Sequence, residues 1–294
     1  THQNQTKFSM KIPLLLDGAM GTELKNRGVK IPLPLWSADA NIEHPDVVES
    51  IHNDYILSGA DIITTNTFRT TSWTYKKNKI STKRARIRAK YSLYRAVECA
   101  HKAKNKKDKI KIAGSITSID DCYLPGKYPG DSIASEIYDE TLEWMIDSGV
   151  DLILFETMGN LNEIECALSL IKDSKIPIWL SLIMQRENIL LDGTDMKVVF
   201  NKLMKYNLEC ILTNCNRIQI SLDICKKFVS SKIPFWGAYP NIGNTEFDND
   251  YFDVINDHNF KKGINSILSM NPNVIGVCCG STPDHIKTLK KLII

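Results

Sequence analysis

The sequence predicts an α/β protein, a single (β/α)8 TIM barrel, on three observations. Short β-rich runs alternate with helical patterns from one end of the chain to the other, which is the signature of repeated βα units. Eight such units in 294 residues match the size and repeat number of one barrel. Several runs are apolar on both faces, most clearly Leu152-Ile153-Leu154-Phe155, as strands of a parallel sheet covered by helices must be.

The predicted strands, in order, are Leu14 to Ala19, Asp61 to Asn66, Lys111 to Ile116, Asp151 to Thr157, Pro177 to Met184, Cys210 to Cys215, Phe235 to Pro240 and Val274 to Cys279. Helices are expected between and after them, at Pro45 to Ser58, Thr82 to Lys104, Ser135 to Ser148, Asn162 to Asp173, Met196 to Tyr206, Ser221 to Ser230, Tyr251 to Leu268 and Pro283 to Leu292. The fourth helix shows its periodicity in Ile164, Ala167, Leu168 and Ile171, one apolar stripe at i, i+3, i+4 and i+7, with Asn162 as its expected cap. Gly59 and Gly149 follow their helices at the usual C-terminal position. A doubly wound sheet is the alternative, but Asp17-Gly18-Ala19-Met20-Gly21-Thr22 has only two glycines, at the wrong spacing for a dinucleotide fingerprint.

Composition narrows the function. The chain is 43% hydrophobic and 24% charged, ordinary for a soluble globular protein, and 37 basic against 34 acidic residues leave a net charge of only +3. The basic residues are dispersed. The densest stretches, Lys76 to Lys79 and Lys102 to Lys109, read as solvated helix ends or loops, so no nucleic-acid partner is expected. No apolar run approaches the ~20 residues needed to span a bilayer, so no membrane partner is expected either. Met10-Lys11 followed by Ile12 to Leu16 is too short for a secretory signal, because Asp17 interrupts it, and a first strand is the reading taken. Residues 1–10 are expected to be a disordered tail or an appended remnant, and residues 11–294 a single barrel domain. Eight irregularly spaced cysteines without a secretory signal do not read as a disulfide framework, so a reducing cytoplasmic location is expected. Cys99, Cys122, Cys166, Cys210 and Cys225 are isolated, and Cys99, Cys166 and Cys225 fall in helical patterns as small buried hydrophobes.

In a barrel the active site lies at the C-terminal ends of the strands. Those ends carry Asp17, Asn66, Glu156, Asn214-Cys215, Tyr239-Pro240-Asn241 and Cys278-Cys279. A lone cysteine at a strand end is more often a small core residue than a ligand. A vicinal pair is different, because neighbours on a regular strand face opposite ways and both turn inward only where the strand ends. Gly276 and Gly280 flank the pair and are expected to permit that departure. Three soft thiolates from two strand ends suit zinc, and three protein ligands leave a fourth tetrahedral position for a substrate. A substrate thiol, with an ordinary pKa near ~8.5, would lose its proton there and remain nucleophilic.

These residues lie in segments that resemble the homocysteine S-methyltransferase family. That group includes S-methylmethionine-using enzymes, betaine-homocysteine methyltransferase and the homocysteine domain of cobalamin-dependent methionine synthase. The matching segments are LLLDGAMGTEL (Leu14 to Leu24), LWSA (Leu35 to Ala38), GADIITTNTF (Gly59 to Phe68), FET (Phe155 to Thr157), TNCN (Thr213 to Asn216), YPN (Tyr239 to Asn241) and GVCCGSTPDHI (Gly276 to Ile286). They run almost the full length of the chain. The resemblance implies a (β/α)8 barrel, one zinc ion on Cys215, Cys278 and Cys279, and Asp17 and Glu156 binding the amino group of homocysteine. Asn66 and Asn214 are added as candidate substrate-binding residues at strand ends. One departure is Val277, where the family has a second glycine before the cysteine pair.

The reaction so implied is methyl transfer from a sulfonium or quaternary ammonium donor to homocysteine, giving methionine. The YPN and LWSA segments are similar to the S-methylmethionine-using branch, and Thr157 stands where the betaine branch has a tyrosine. Betaine, dimethylsulfoniopropionate and S-adenosylmethionine remain alternatives, as does a non-catalytic zinc-binding barrel serving as a sensor or subunit. Trp36, Phe68, Trp73, Tyr123 and Tyr239 are candidates for an aromatic surface around the donor. Self-association into a homo-oligomer is left open.

Overall fold

The computed structural model describes residues 12–105, 107–244 and 253–294. Among them eight parallel strands, numbered here in chain order, form one sheet: β1 (Leu14–Leu15), β2 (Ile62–Thr64), β3 (Lys111–Ile116), β4 (Leu152–Met158), β5 (Ile178–Leu182), β6 (Cys210–Arg217), β7 (Trp236–Asn241) and β8 (Val274–Ile275). Each strand pairs with its neighbours in sequence, and β1 pairs with β8 through Leu14 opposite Val274. The ring closes where Leu16 bridges Ile62 and Asp17 N donates to Ile62 O at 3.0 Å. The barrel expected from the alternation of patterns is the one that forms.

Its packing explains why the strands are apolar on both faces. One buried cluster fills the barrel, including Leu152 and Leu154 from β4, Trp179 from β5, and Cys210 and Leu212 from β6. The intervening residues Ile153 and Phe155 belong instead to the layer between sheet and helices. Alternation along β4 therefore aims Glu156 into the barrel, on the same side as Leu154. Fully burying a side chain such as Phe155 contributes about 1.5–3 kcal/mol, so this double-sided burial fixes the register strongly.

The helices follow from capping and stripe. Thr82–Lys104 starts after Ser81, whose side chain accepts from Arg84 N, and buries Ala85, Ala89, Leu93, Ala96 and Ala100 on one face. Leu161–Ile171 is capped by Asn160, not by Asn162 as expected: the Asn160 side chain accepts from Glu163 N at 3.1 Å. Gly59 and Gly149 take φ of 110° and 84°, the left-handed conformation that ends a helix. Helices at Gly21–Asn26, Ala40–Glu43 and Ser72–Lys77, and a hairpin pairing Met184–Arg186 with Ile189–Leu190, were not expected from the sequence.

Regular strand in β1 and β8 is much shorter than expected, although backbone hydrogen bonds to β7 continue beyond β8, from Gly276 N to Ala238 O at 3.0 Å and from Cys278 N to Pro240 O at 2.8 Å. The helix expected from Tyr251 runs Asp257–Leu268, and residues 251–252, like the tail at 1–10, lie outside the described residues. Lys76 and Lys79 are solvent-exposed, as expected of a helix end. No described helix is long and apolar enough to cross a membrane.

Candidate active site at the mouth of the barrel

Cys215 would face the helices if β6 kept its alternation, since Cys210 and Leu212 point inward. It does not keep it. Cys215 has φ 59°, and the pairing of β6 with β7 slips between Asn214 and Arg217. A left-handed non-glycine residue is strained, and here the strain turns the thiol into the mouth. Cys278 and Cys279 follow β8, with Cys278 N donating to Pro240 O at 2.8 Å. The sulfurs of Cys215 and Cys278 are 2.7 Å apart, those of Cys278 and Cys279 3.9 Å, and all three lie within 4.8 Å of one another. All are free thiols, and the other five cysteines lie outside the group.

Gly276 and Gly280 play different parts, not the shared one expected. Gly280 has φ 83° and turns the chain after the pair. Gly276 is not left-handed; a Cβ there would lie 2.7 Å from Leu16 Cβ and 3.2 Å from Tyr239 Cβ, so glycine is needed for close approach of the strands. Val277 is buried and lines the cavity wall between them.

Contact with Cys278, together with burial, holds the Cys215 thiol well above the ordinary thiol range, and contact with Cys215 does the same for Cys279. Three thiolates so close together repel, and only a cation among them makes that state favourable. Soft sulfur donors, their convergence and the absence of a carboxylate in the group fit a thiophilic divalent ion. The Tyr123 hydroxyl lies 3.7 Å from Cys215 Sγ.

Two carboxyls open onto the same cavity. Asp17 is buried, and its oxygens accept from Thr64 N at 2.8 Å and Thr64 Oγ1 at 2.9 Å. Burial still lifts its pKa to about 8, with nearby Glu156 adding to the rise. Glu156 accepts from Ser115 Oγ and, at 3.1 Å, from Tyr239 OH, and burial raises it too. Burial destabilises both carboxylates, so a positive group placed beside them is strongly favoured, and the pair forms a receptor for it.

Of the asparagines, Asn66 lines the cavity but its amide is spent: Oδ1 accepts from Ser37 Oγ at 2.6 Å, while Nδ2 donates to Ser37 O and Asn41 Oδ1, both at 2.9 Å. It positions the segment carrying Trp36, which itself has φ 50°. Asn214 is fully buried and is not among the residues lining the cavity. Its Oδ1 accepts from Thr157 N at 2.9 Å and Ser181 Oγ at 2.7 Å, and its Nδ2 donates to Thr157 Oγ1 at 2.8 Å. Both amides are engaged in the scaffold, and of the two only Asn66 reaches the cavity wall.

The cavity has a volume of about 370 Å³. Trp36, Phe68, Tyr123 and Tyr239 line it, whereas Trp73 does not: its Nε1 donates to Asp120 Oδ2 at 2.9 Å. Thr64, Arg69 and Asp121 also line it and were missed by the sequence reading, since nothing in their spacing marks them.

A family model described as homocysteine S-methyltransferase matches residues 14–293. The chain belongs to the homocysteine S-methyltransferase family. Relatives in this family include the homocysteine S-methyltransferase of Escherichia coli (strain K12), 27% identical over 301 residues and covering 94% of this chain and 94% of that protein. The selenocysteine methyltransferase of Astragalus bisulcatus is 26% identical over 326 residues, covering 95% of this chain and 92% of that protein. Among solved structures, the metallated form of the homocysteine methyltransferase MmuM from Escherichia coli superposes with a TM-score of 0.82 at 25% identity, covering 96% of each chain. Homocysteine S-methyltransferase membership thus joins a barrel with a matching overall shape to a mouth that holds three convergent thiols.

Proposed function

We propose that this protein transfers a methyl group from a sulfonium donor, S-methylmethionine, to the thiol of L-homocysteine, giving methionine, with one zinc ion on Cys215, Cys278 and Cys279. The observation that carries this reading is that three thiols and two buried carboxyls open onto one cavity. When bound, zinc lowers the pKa of a thiol that joins it, so the acceptor sulfur is available as thiolate at neutral pH.

The chain's own residues do the rest. Asp17 and Glu156 receive the homocysteine ammonium, and Thr64 fixes the Asp17 carboxyl for that contact. Trp36, Phe68 and Tyr123 give the cationic donor an aromatic wall. The bond from the methyl carbon to the donor sulfur breaks, leaving its electron pair on that sulfur. A new bond forms to the homocysteine sulfur, and the thiol proton leaves to solvent. The donor loses its positive charge in the transfer, which a pocket poor in water favours, and alignment of the two sulfurs about the methyl carbon supplies much of the acceleration. On this reading residues 11–294 act as one homocysteine-binding barrel. The reaction belongs in the cytoplasm, whose reducing conditions suit eight free cysteines.

The test is incubation with homocysteine and, separately, S-methylmethionine, betaine, dimethylsulfoniopropionate or S-adenosylmethionine, each with deuterated methyl groups, followed by mass spectrometry of methionine. Labelled methionine is expected with S-methylmethionine. Label from another donor alone reassigns the donor, and none from any donor at full metal occupancy overturns the enzymatic reading.

A further inference from the structure

The cavity has a charged sector that the reaction above leaves unused. Arg69 lies five residues beyond the end of β2, and Asp121 five beyond the end of β3. Asp17 lies only two residues beyond β1 and Glu156 lies within β4, so the two pairs leave the strands at different heights along the mouth. Both Arg69 and Asp121 are half-buried and line the same cavity as the thiols.

Each is anchored at one end and open at the other. Arg69 Nη1 donates to the carbonyl oxygen of Asp120, and its guanidinium carbon lies 5.1 Å from the Phe68 ring centroid. A guanidinium has five N–H donors, and among the described residues this is the only hydrogen bond that it makes to protein. Asp121 Oδ1 accepts from Tyr123 N at 3.0 Å, which leaves Oδ2 without a protein donor among the described residues. Because Asp121 directly follows the residue that Arg69 grips, a cation and an anion are held beside one another at the cavity without an ion pair between them among the described residues.

We infer that Arg69 and Asp121 form the subsite for the carboxylate and the ammonium of the methyl donor, so that the donor is a zwitterionic amino acid bearing the sulfonium. This rests on the methyl-transfer reading above. On that reading the single ammonium of the acceptor is taken by Asp17 and Glu156, which leaves Asp121 for a second ammonium and Arg69, beside it, for the carboxylate of the same molecule. Tyr123 connects the two levels, with its amide on Asp121 and its hydroxyl beside Cys215. A donor without an ammonium leaves Asp121 unmatched in a half-buried position, and that is a means of discrimination.

Steady-state kinetics and direct binding test this with Arg69→Gln, Arg69→Lys and Asp121→Asn, each at full metal occupancy. Arg69→Gln is expected to raise the S-methylmethionine KM by about tenfold or more, the scale of one lost charged hydrogen bond, with the homocysteine KM changing less than about twofold. Arg69→Lys recovers part of the loss. Asp121→Asn weakens S-methylmethionine by about tenfold and leaves competition by dimethylsulfoniopropionate, which lacks the ammonium, within about twofold. A rise in the homocysteine KM alone assigns the pair to the acceptor and overturns the inference, as does an unchanged donor KM. Equilibrium dialysis with labelled S-methylmethionine separates the two readings. Binding that Arg69→Gln abolishes, in a protein that makes no methionine, sinks the reaction and keeps the subsite; equal binding by wild type and variants sinks the subsite.

Discussion

Asn214 Oδ1 accepts the backbone N–H of Thr157 at 2.9 Å, so the residue preceding Cys215 is tied across the barrel interior to the residue following Glu156. Thr157 and Cys215 both take left-handed φ, 58° and 59°, and the Asn214 amide, with Ser181, holds this inner layer together. The carboxyl and the thiol of the site therefore share one buried support.

Asn214→Ala is expected to destabilise the protein by roughly 2–4 kcal/mol, because it leaves the Thr157 N–H and Ser181 hydroxyl buried without their acceptor. It also frees Cys215 to relax, lowering metal affinity. Urea unfolding of the metal-free protein measures the first effect, and metal titration the second. Loss of stability below about 1 kcal/mol would deny the bridge its role.

Cys215→Ala is expected to reduce bound zinc to below about a tenth of the wild-type content after dialysis against a weak chelator, since two vicinal thiolates make a poor site. Elemental analysis of both proteins decides it. Equal metal content would remove Cys215 from the site.

The Asp17 carboxyl, pushed up to about 8 by burial, is protonated below that pH and then offers an ammonium no charge. Homocysteine binding must displace that proton. Affinity should therefore strengthen between pH 6 and pH 8, with Asp17 contributing at most about one log unit per pH unit, and this contribution should level off above pH 8. Asp17→Asn removes that component and raises the homocysteine KM. Calorimetry across this range tests it, and an identical slope in both proteins would exclude Asp17 from ammonium binding.

His52, on the helix Pro45–Leu57, is fully buried, and neither ring nitrogen has a hydrogen-bond partner among the described residues. Burial lowers its pKa from 6.5 to about 4. Its folded pKa lies below its unfolded one, so the unfolded chain binds the extra proton between pH 6.5 and 4. The stability it contributes is present above pH 6.5 and is lost as pH falls through that window, by roughly 3 kcal/mol in all. His52→Leu should flatten this part of the acid response, read as urea midpoints at pH 7 and pH 4.5. Equal losses in both proteins would disprove it.

Much of this molecule was legible in the sequence where one strong physical pattern acted alone. The helices Thr82–Lys104 and Pro283–Leu292 and the strand Lys111–Ile116 have the expected limits, because periodicity and capping agree there. The ends of β1 and β8 were overextended, since apolar runs do not reveal where regular pairing stops. The convergence of Cys215, Cys278 and Cys279 followed from strand ends, but the means did not: a left-handed φ at a non-glycine residue leaves no mark in composition. Asn66 and Asn214 were expected as substrate contacts because they stand at strand ends, and a sequence cannot show the protein partners that each amide also holds.

The strand β8 is only two residues long and pairs over two residues with β1 on one side and with β7 on the other, and Cys278 and Cys279 lie just beyond it. Ladders so short fray more readily than the long β3 to β7 wall. An ion shared by the β6 cysteine and the pair beyond β8 would span β7 and act as a clasp that ties this short last strand to the long wall. Losing it would do more than silence the chemistry. It would loosen the closure itself, so that metal supply would govern how long the folded chain resists proteolysis.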